Sequence, residues 1–271
     1  MLAGERTRPT KGVPVSGSSF PRRQLLGSAA ALTGGVLLGG AVQPFVARPA
    51  HAAEEPHIYP RADWGARPPT TPATILDHGP DHIVVHHTAS ANTTDYSEGA
   101  AFSLSRAIQD LHMNQNGWSD TGQQLTISRG GYIMEGRNRT LESMAERRLV
   151  EGAQTLGQND HTIGIENEGT YITATPTTDL WNSLVETCAY LCAIYKLDPQ
   201  EAIVGHRDYV NTQCPGDAFY AMLPQLRNDV AGALGTAERA IGRPRRVHTN
   251  LPGPRYRFDH GPAVGPDEPR P

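Results

Sequence analysis

Three short apolar runs in this sequence each close on side chains that can bind a metal or move a proton. His82-Ile83-Val84-Val85-His86 is β-branched through its middle and ends on the pair His86-His87. His161 to Glu168 reads His-Thr-Ile-Gly-Ile-Glu-Asn-Glu, and Glu201-Ala202-Ile203-Val204-Gly205 runs directly into His206. Runs of this length and composition predict strands. The segments between them carry helical spacing. Ser97 to Gln115 places Ala101, Phe102, Leu104, Ile108, Leu111 and His112 near one period. Thr177 to Tyr195 is amphipathic with Thr178 as its cap, and Asp217 to Leu234 forms a last helix. Gln124–Ser128 and Tyr132–Glu135 flank Arg129-Gly130-Gly131, which predicts a hairpin. That order of elements predicts an α/β fold, a mixed central β-sheet flanked by helices on both faces in a single domain.

The ends of the chain read differently. Ser18 to Leu26 carries paired arginines, Arg22-Arg23, ahead of a mildly apolar Gly/Ala-rich run from Leu25 to Val46. Ala50-His51-Ala52 then supplies a small-residue cleavage site. Residues 1–52 therefore read as a twin-arginine export signal, with a secreted or cell-wall location expected. Thr33, Gln43, Pro44 and several glycines make the run a poor spanning helix, so no stable membrane span is expected after cleavage. Glu54 to Pro72 is Pro- and Gly-rich and reads as a loop packed on the surface. Residues 235–271 read as a Pro/Arg-rich, disordered tail. A net charge of -4 over 271 residues gives no case for nucleic acid, and a monomer is expected. Cys188 and Cys192, at i, i+4 on a helix, read as small buried hydrophobes.

Chemistry concentrates in Gly205-His206-Arg207-Asp208-Tyr209-Val210-Asn211-Thr212-Gln213-Cys214-Pro215-Gly216. A loop of this length can curl so that His206 and Cys214 reach one point. Imidazole and thiolate are preferred zinc ligands, and a catalytic zinc takes three protein ligands and keeps one position open. A third ligand can come from His86 or His87. Neighbours on a strand face opposite ways, so only one of the two can point at the ion. In the strand at 161–168, period two puts Ile163 and Ile165 on one face and Glu166 and Glu168 on the other. A carboxylate on an interior strand is costly to bury without a compensating charge, so Glu166 is the expected general base.

At these residues the chain resembles a known family. Val84-Val85-His86-His87-Thr88-Ala89, Gly117-Trp118-Ser119-Asp120, Ser128 to Gly131, Thr162 to Glu166 and the 205–216 segment occur in the order found in zinc N-acetylmuramoyl-L-alanine amidases of the phage-lysozyme and peptidoglycan-recognition-protein type. Tyr59 to Ala66 resembles the arm that precedes that domain in the recognition proteins. The resemblance implies a zinc amidase domain over residues 53–234, with peptidoglycan as its substrate. It implies zinc held by His86, His206 and Cys214, catalysis by Glu166, and help to the reacting carbonyl from Thr212. Two positions depart from the family pattern. Gln123 stands where many members have a Tyr near the zinc, and Gln154 where many have a His. Gln123 can donate a hydrogen bond to substrate but cannot titrate. Two other functions fit the same scaffold: a peptidoglycan-binding module without catalysis, and a zinc peptidase acting within the stem peptide.

Overall fold

The computed structural model describes residues 55–235. The expected export signal and all but the first residue of the expected tail lie outside them. β2 (His82–His87) is flanked by β5 (Thr162–Asn167) on one side and β6 (Ile203–Gly205) on the other, all parallel. β3 (Leu125–Ile127) is parallel to β5, and β4 (Ile133–Glu135) returns antiparallel beside β3. β1 (Ile58–Tyr59) pairs parallel with β4, so the six-stranded order is β1-β4-β3-β5-β2-β6. The sheet is mixed, as expected.

Alternation sorts the two faces. Ile83, Val85, Ile163, Ile165, Leu125, Ile127 and Ile133 enter one core, with Leu180, Leu184 and Leu191 of α3 (Thr178–Tyr195) and Leu226 and Val230 of α6 (Leu223–Gly235). Each such fully buried side chain contributes about 1.5–3 kcal/mol of transfer free energy. Met134 points the other way, onto Trp64 and onto Ala101 of α1 (Glu98–Asp110). Helices thus cover both faces. Cys188 and Cys192 lie on the buried stripe of α3 without a disulfide, and burial pushes both thiols up, which leaves them inert.

Several boundaries differ from expectation for local reasons. Thr177, not Thr178, caps α3; its hydroxyl accepts from Leu180 N at 3.3 Å. The expected strand 201–205 begins only at Ile203, because Asp198 caps a single turn, α4 (Pro199–Ala202), with Pro199 in its first turn. The expected last helix is two: α5 (Asp217–Ala221) and α6, broken at Met222. Pro224 lacks the N–H that would continue the ladder, and it tolerates only a first turn. The stretch 54–72, expected as loop alone, contributes β1 as an edge strand. Arg61 ion-pairs at 3.0 Å with the buried Asp120, and Trp64 Nε1 donates to Glu135 O at 2.9 Å, which fixes the arm to the domain. α2 (Thr140–Ala145) had no clear periodic signal.

At the start of β2, Asp81 Oδ1 receives His82 Nδ1 and His161 Nδ1, each at 2.8 Å. Burial alone would raise Asp81, but the hydrogen bonds from His161 and His82 hold it well below the usual carboxylate range. The Asp81 hydrogen bond raises His161 against the opposing effect of burial. A depressed carboxylate stabilises above its unfolded pKa of about 4, and a raised imidazole stabilises below its unfolded pKa of about 6.5. The pair is therefore worth most between those values and fades as pH rises through the folded pKa of His161. Thermal melts in a chelator should show Asp81→Asn losing more stability at pH 5.5 than at pH 8.5. An equal loss at both would remove the ion pair from the account.

Candidate active site

Strand register builds the polar face of the sheet. His86 pairs with Glu166, Glu166 pairs with Thr126, and Val85 pairs with Gly205, the residue before His206. Neighbouring strands lie about 4.7–4.9 Å apart, so side chains in register on one face are direct neighbours. His206, His86, Glu166 and Thr126 therefore form a row across four strand ends. All four are buried.

Of the two adjacent histidines, His86 lies on this face, its ring centroid 4.4 Å from that of His206. His87 lies on the other, where its Nδ1 accepts from Tyr171 N at 3.3 Å. His86 Nε2 is 2.7 Å from Gln154 Oε1. An amide oxygen only accepts, so Nε2 carries the proton and Nδ1 keeps its lone pair. That lone pair faces Cys214 Sγ at 3.7 Å. Burial pushes His86 down to about 3, so the ring is neutral, as a ligand must be. Gln154 is itself fixed by Thr162 Oγ1 at 2.8 Å and Thr155 Oγ1 at 2.5 Å.

Gln154 has room because residue 164 has no side chain. A Cβ at Gly164 would lie 2.6 Å from Gln154 Cγ and 2.9 Å from its Oε1. Gly164→Ala should displace Gln154 and release His86. Losing such an outer partner weakens a metal site about 10–100-fold. Chelator competition should read that as a weaker zinc affinity, with Gln154→Ala showing the same; unchanged affinity in both variants would mean His86 needs no such support.

The loop from His206 to Cys214 is closed by a buried arginine. Arg207 donates to Cys214 O and Gln213 O and ion-pairs with Asp217 at 2.7 Å. Asp208 accepts from Gly205 N at 2.8 Å and from the Tyr220 hydroxyl at 2.5 Å. Cys214 Sγ accepts from His87 N at 3.4 Å, which helps fix the sulfur in place. Thr212 Oγ1 accepts from Cys214 N at 3.1 Å, which leaves its hydroxyl proton for another acceptor.

The two glutamates of β5 and its end differ sharply. Glu168 is tied down, accepting from Thr93 Oγ1 at 2.9 Å and Arg129 N at 2.7 Å. Glu166 is 1% exposed, its Oε1 has no partner among the described residues, and burial pushes it up to about 8. A nearby cation would restore its anion. Gln123 Nε2 donates to Thr126 Oγ1 at 2.9 Å, and Gln123 Oε1 is buried without a partner among the described residues. Thr126 and the role of Gln154 were missed by sequence reasoning. The alternation Leu125-Thr126-Ile127 and a glycine between two strand isoleucines were the signals available.

These residues fit a zinc ion. The ligand atoms of His86, His206 and Cys214 all lie within 4.8 Å of one another, and all three residues are buried. Zinc–nitrogen bonds of about 2.0 Å and a zinc–sulfur bond of about 2.3 Å at tetrahedral angles separate nitrogen and sulfur by about 3.6 Å. The observed 3.7 Å between His86 Nδ1 and Cys214 Sγ matches that edge. The adjacent unpartnered carboxylate is also what a buried dication would compensate.

Comparison with known proteins places these features in context. The family model described as N-acetylmuramoyl-L-alanine amidase matches residues 76–217. A human protein named N-acetylmuramoyl-L-alanine amidase is 34% identical over 173 residues, covering 62% of this chain and 28% of that protein. The chain spans about a third or less of the length of the mammalian relatives it matches. Among solved structures, Drosophila peptidoglycan-recognition protein LB aligns with TM-score 0.54 at 27% identity, covering 62% of this chain and 92% of that one. A variant of that protein was solved in complex with tracheal cytotoxin. The amidase LysC from Clostridium intestinale aligns with TM-score 0.51 at 25% identity, covering 65% of this chain and 99% of that one.

Proposed function

We propose, from the premise that this chain belongs to the N-acetylmuramoyl-L-alanine amidase family, that it hydrolyses the amide between N-acetylmuramic acid and L-alanine in peptidoglycan. In this reading His86, His206 and Cys214 hold zinc, Glu166 is the general base and acid, Thr212 assists the carbonyl, and Gln123 contacts substrate. The observation that supports it most is one row of side chains: buried N, N and S donors beside a buried carboxylate with an unused oxygen.

Bound zinc supplies Lewis acidity, which polarises the scissile carbonyl and makes water acidic enough to deprotonate near neutral pH. Glu166 Oε1, which has no hydrogen-bond partner among the described residues, takes a proton from the attacking water as the water's oxygen adds to the carbonyl carbon. Glu166 then returns that proton to the leaving nitrogen as the C–N bond breaks. The products are a muramic acid carboxylate and a free L-alanine amine. The Thr212 hydroxyl donates to the carbonyl oxygen as negative charge develops there. Gln123 moves no proton; its unused Oε1 offers the substrate an acceptor.

Export by the twin-arginine route to the cell surface or medium, and action as a monomer, belong to the same reading and rest on residues 1–52 and on composition. Mass spectrometry of digested peptidoglycan tests the activity. Free muramic acid carboxyls paired with new L-alanine N-termini are expected. New termini only within the stem peptide would make the protein a peptidase, and an unaltered wall with zinc-loaded protein bound to it would make it a binding module.

A further inference from the structure

Donors converge a second time at the opposite end of β2. Asp81, His82 and His161 bring their ligand atoms within 4.8 Å of one another, and among the described residues only this group and the His86 group do so. His82 and His86 are four residues apart on one strand, about 13 Å at the usual rise, so the two places are distinct.

We propose that Asp81, His82 and His161 form a second divalent-cation site, suited to zinc, which ties the start of β2 to the start of β5. Two imidazoles and one carboxylate are a recognised zinc donor set. Both Nδ1 atoms approach the same oxygen, Asp81 Oδ1, at 2.8 Å, so the three groups converge on one point rather than forming a relay. The His161 ring is oriented from behind. Its Nε2 lies 2.8 Å from Gln158 Oε1, an acceptor, so Nε2 carries a proton. When the ring is neutral its Nδ1 lone pair then faces the carboxylate, and a cation held by both can take the place of the proton that Nδ1 carries in the ion pair. Outer partners of this kind commonly orient metal-bound histidines.

His82 adds the buried part of the site. It is 3% exposed, and its Nε2 has no hydrogen-bond partner among the described residues. Asp81 is its one hydrogen-bond partner among the described residues, so a cation that replaces the Nδ1 proton breaks only the bond to a group that the cation also binds. Asp81 and His161 are each about one-third exposed, with side-chain values of 35% and 32%. An ion can therefore enter from solvent and complete its shell with water. Tyr209 forms a wall, its ring centroid 6.1 Å from that of His82 and 6.4 Å from that of His161. Asp81 N also donates to His161 O at 2.9 Å, so a cation would reinforce an existing backbone link. Asp160 is the other charged group acting on His161. A proton and a cation compete for His161 Nδ1, because imidazole binds metal only when deprotonated.

The test is metal stoichiometry. Untagged full chain is stripped with chelator, dialysed against zinc alone at pH 7.5 and analysed by atomic emission, with circular dichroism as a check on folding. Two equivalents are expected for the unaltered chain, one for Cys214→Ser, one for His161→Ala and none for the double variant. Asp81→Asn, which keeps the shape of the side chain, should also bind one. In Cys214→Ser, zinc should still raise Tm, and His161→Ala should abolish that rise. A single equivalent in the unaltered chain that only Cys214→Ser removes would overturn the proposal. So would a second equivalent that persists in both folded His161→Ala and Asp81→Asn.

Discussion

Glu166→Ala is expected to keep the zinc held by His86, His206 and Cys214 while losing most turnover. Removing a positioned general acid–base costs about 10²–10⁴-fold in rate. The carboxylate is not among the converging ligand atoms, so metal content should not follow activity. Deleting a buried carboxyl that has an unpartnered oxygen also removes a desolvation cost, so Tm should hold or rise. Glu166→Gln is the sharper variant, because it preserves volume and hydrogen bonding but not basicity. Steady-state kinetics with zinc analysis separate the outcomes. Undiminished kcat in either variant would take Glu166 out of the mechanism. Joint loss of zinc and kcat would make it a structural support of the ion.

Cys214→Ala is expected to lose the ion and the activity together. The sulfur supplies the thiolate of the set, and its departure leaves only two buried imidazoles to hold the ion. Without the ion, several kcal/mol of transition-state stabilisation go, or about 10³-fold or more at 1.36 kcal/mol per decade. Carboxylate oxygen is also a zinc ligand, so Cys214→Asp should regain part of both. Zinc retained at this site by folded Cys214→Ala would exclude the sulfur as a ligand.

The large elements were legible because their patterns are long and regular. Ile163 and Ile165 announce a strand face by alternation, and the stripe through Leu180, Leu184, Cys188 and Leu191 announces the buried side of α3. β1 was not legible. It is two residues long and owes its place to backbone pairing with β4 rather than to a side-chain pattern. The break between α5 and α6 hangs on one proline inside a continuous apolar rhythm. For the candidate site, spacing reduced the choice to His86 or His87 and could go no further. Which one turns toward Cys214 depends on parallel pairing with β5 and on Tyr171 N occupying the other ring. Gln154 lies 68 residues from the histidine it holds, a proximity that only the folded chain creates. The marker for it was Gly164, a residue whose meaning is an absence of atoms.

His86 rides on a central strand, whereas Cys214 closes a loop 128 residues further along the chain. An ion gripping both is a removable cross-link. On the scale used for covalent bridges, closing a loop of that length restricts the unfolded chain by about 5 kcal/mol. The same atom that would make the protein reactive would also brace it. A mild chelator should then act as a denaturant at the temperature where the fold is already near its limit, and restoring the metal should act as a clasp.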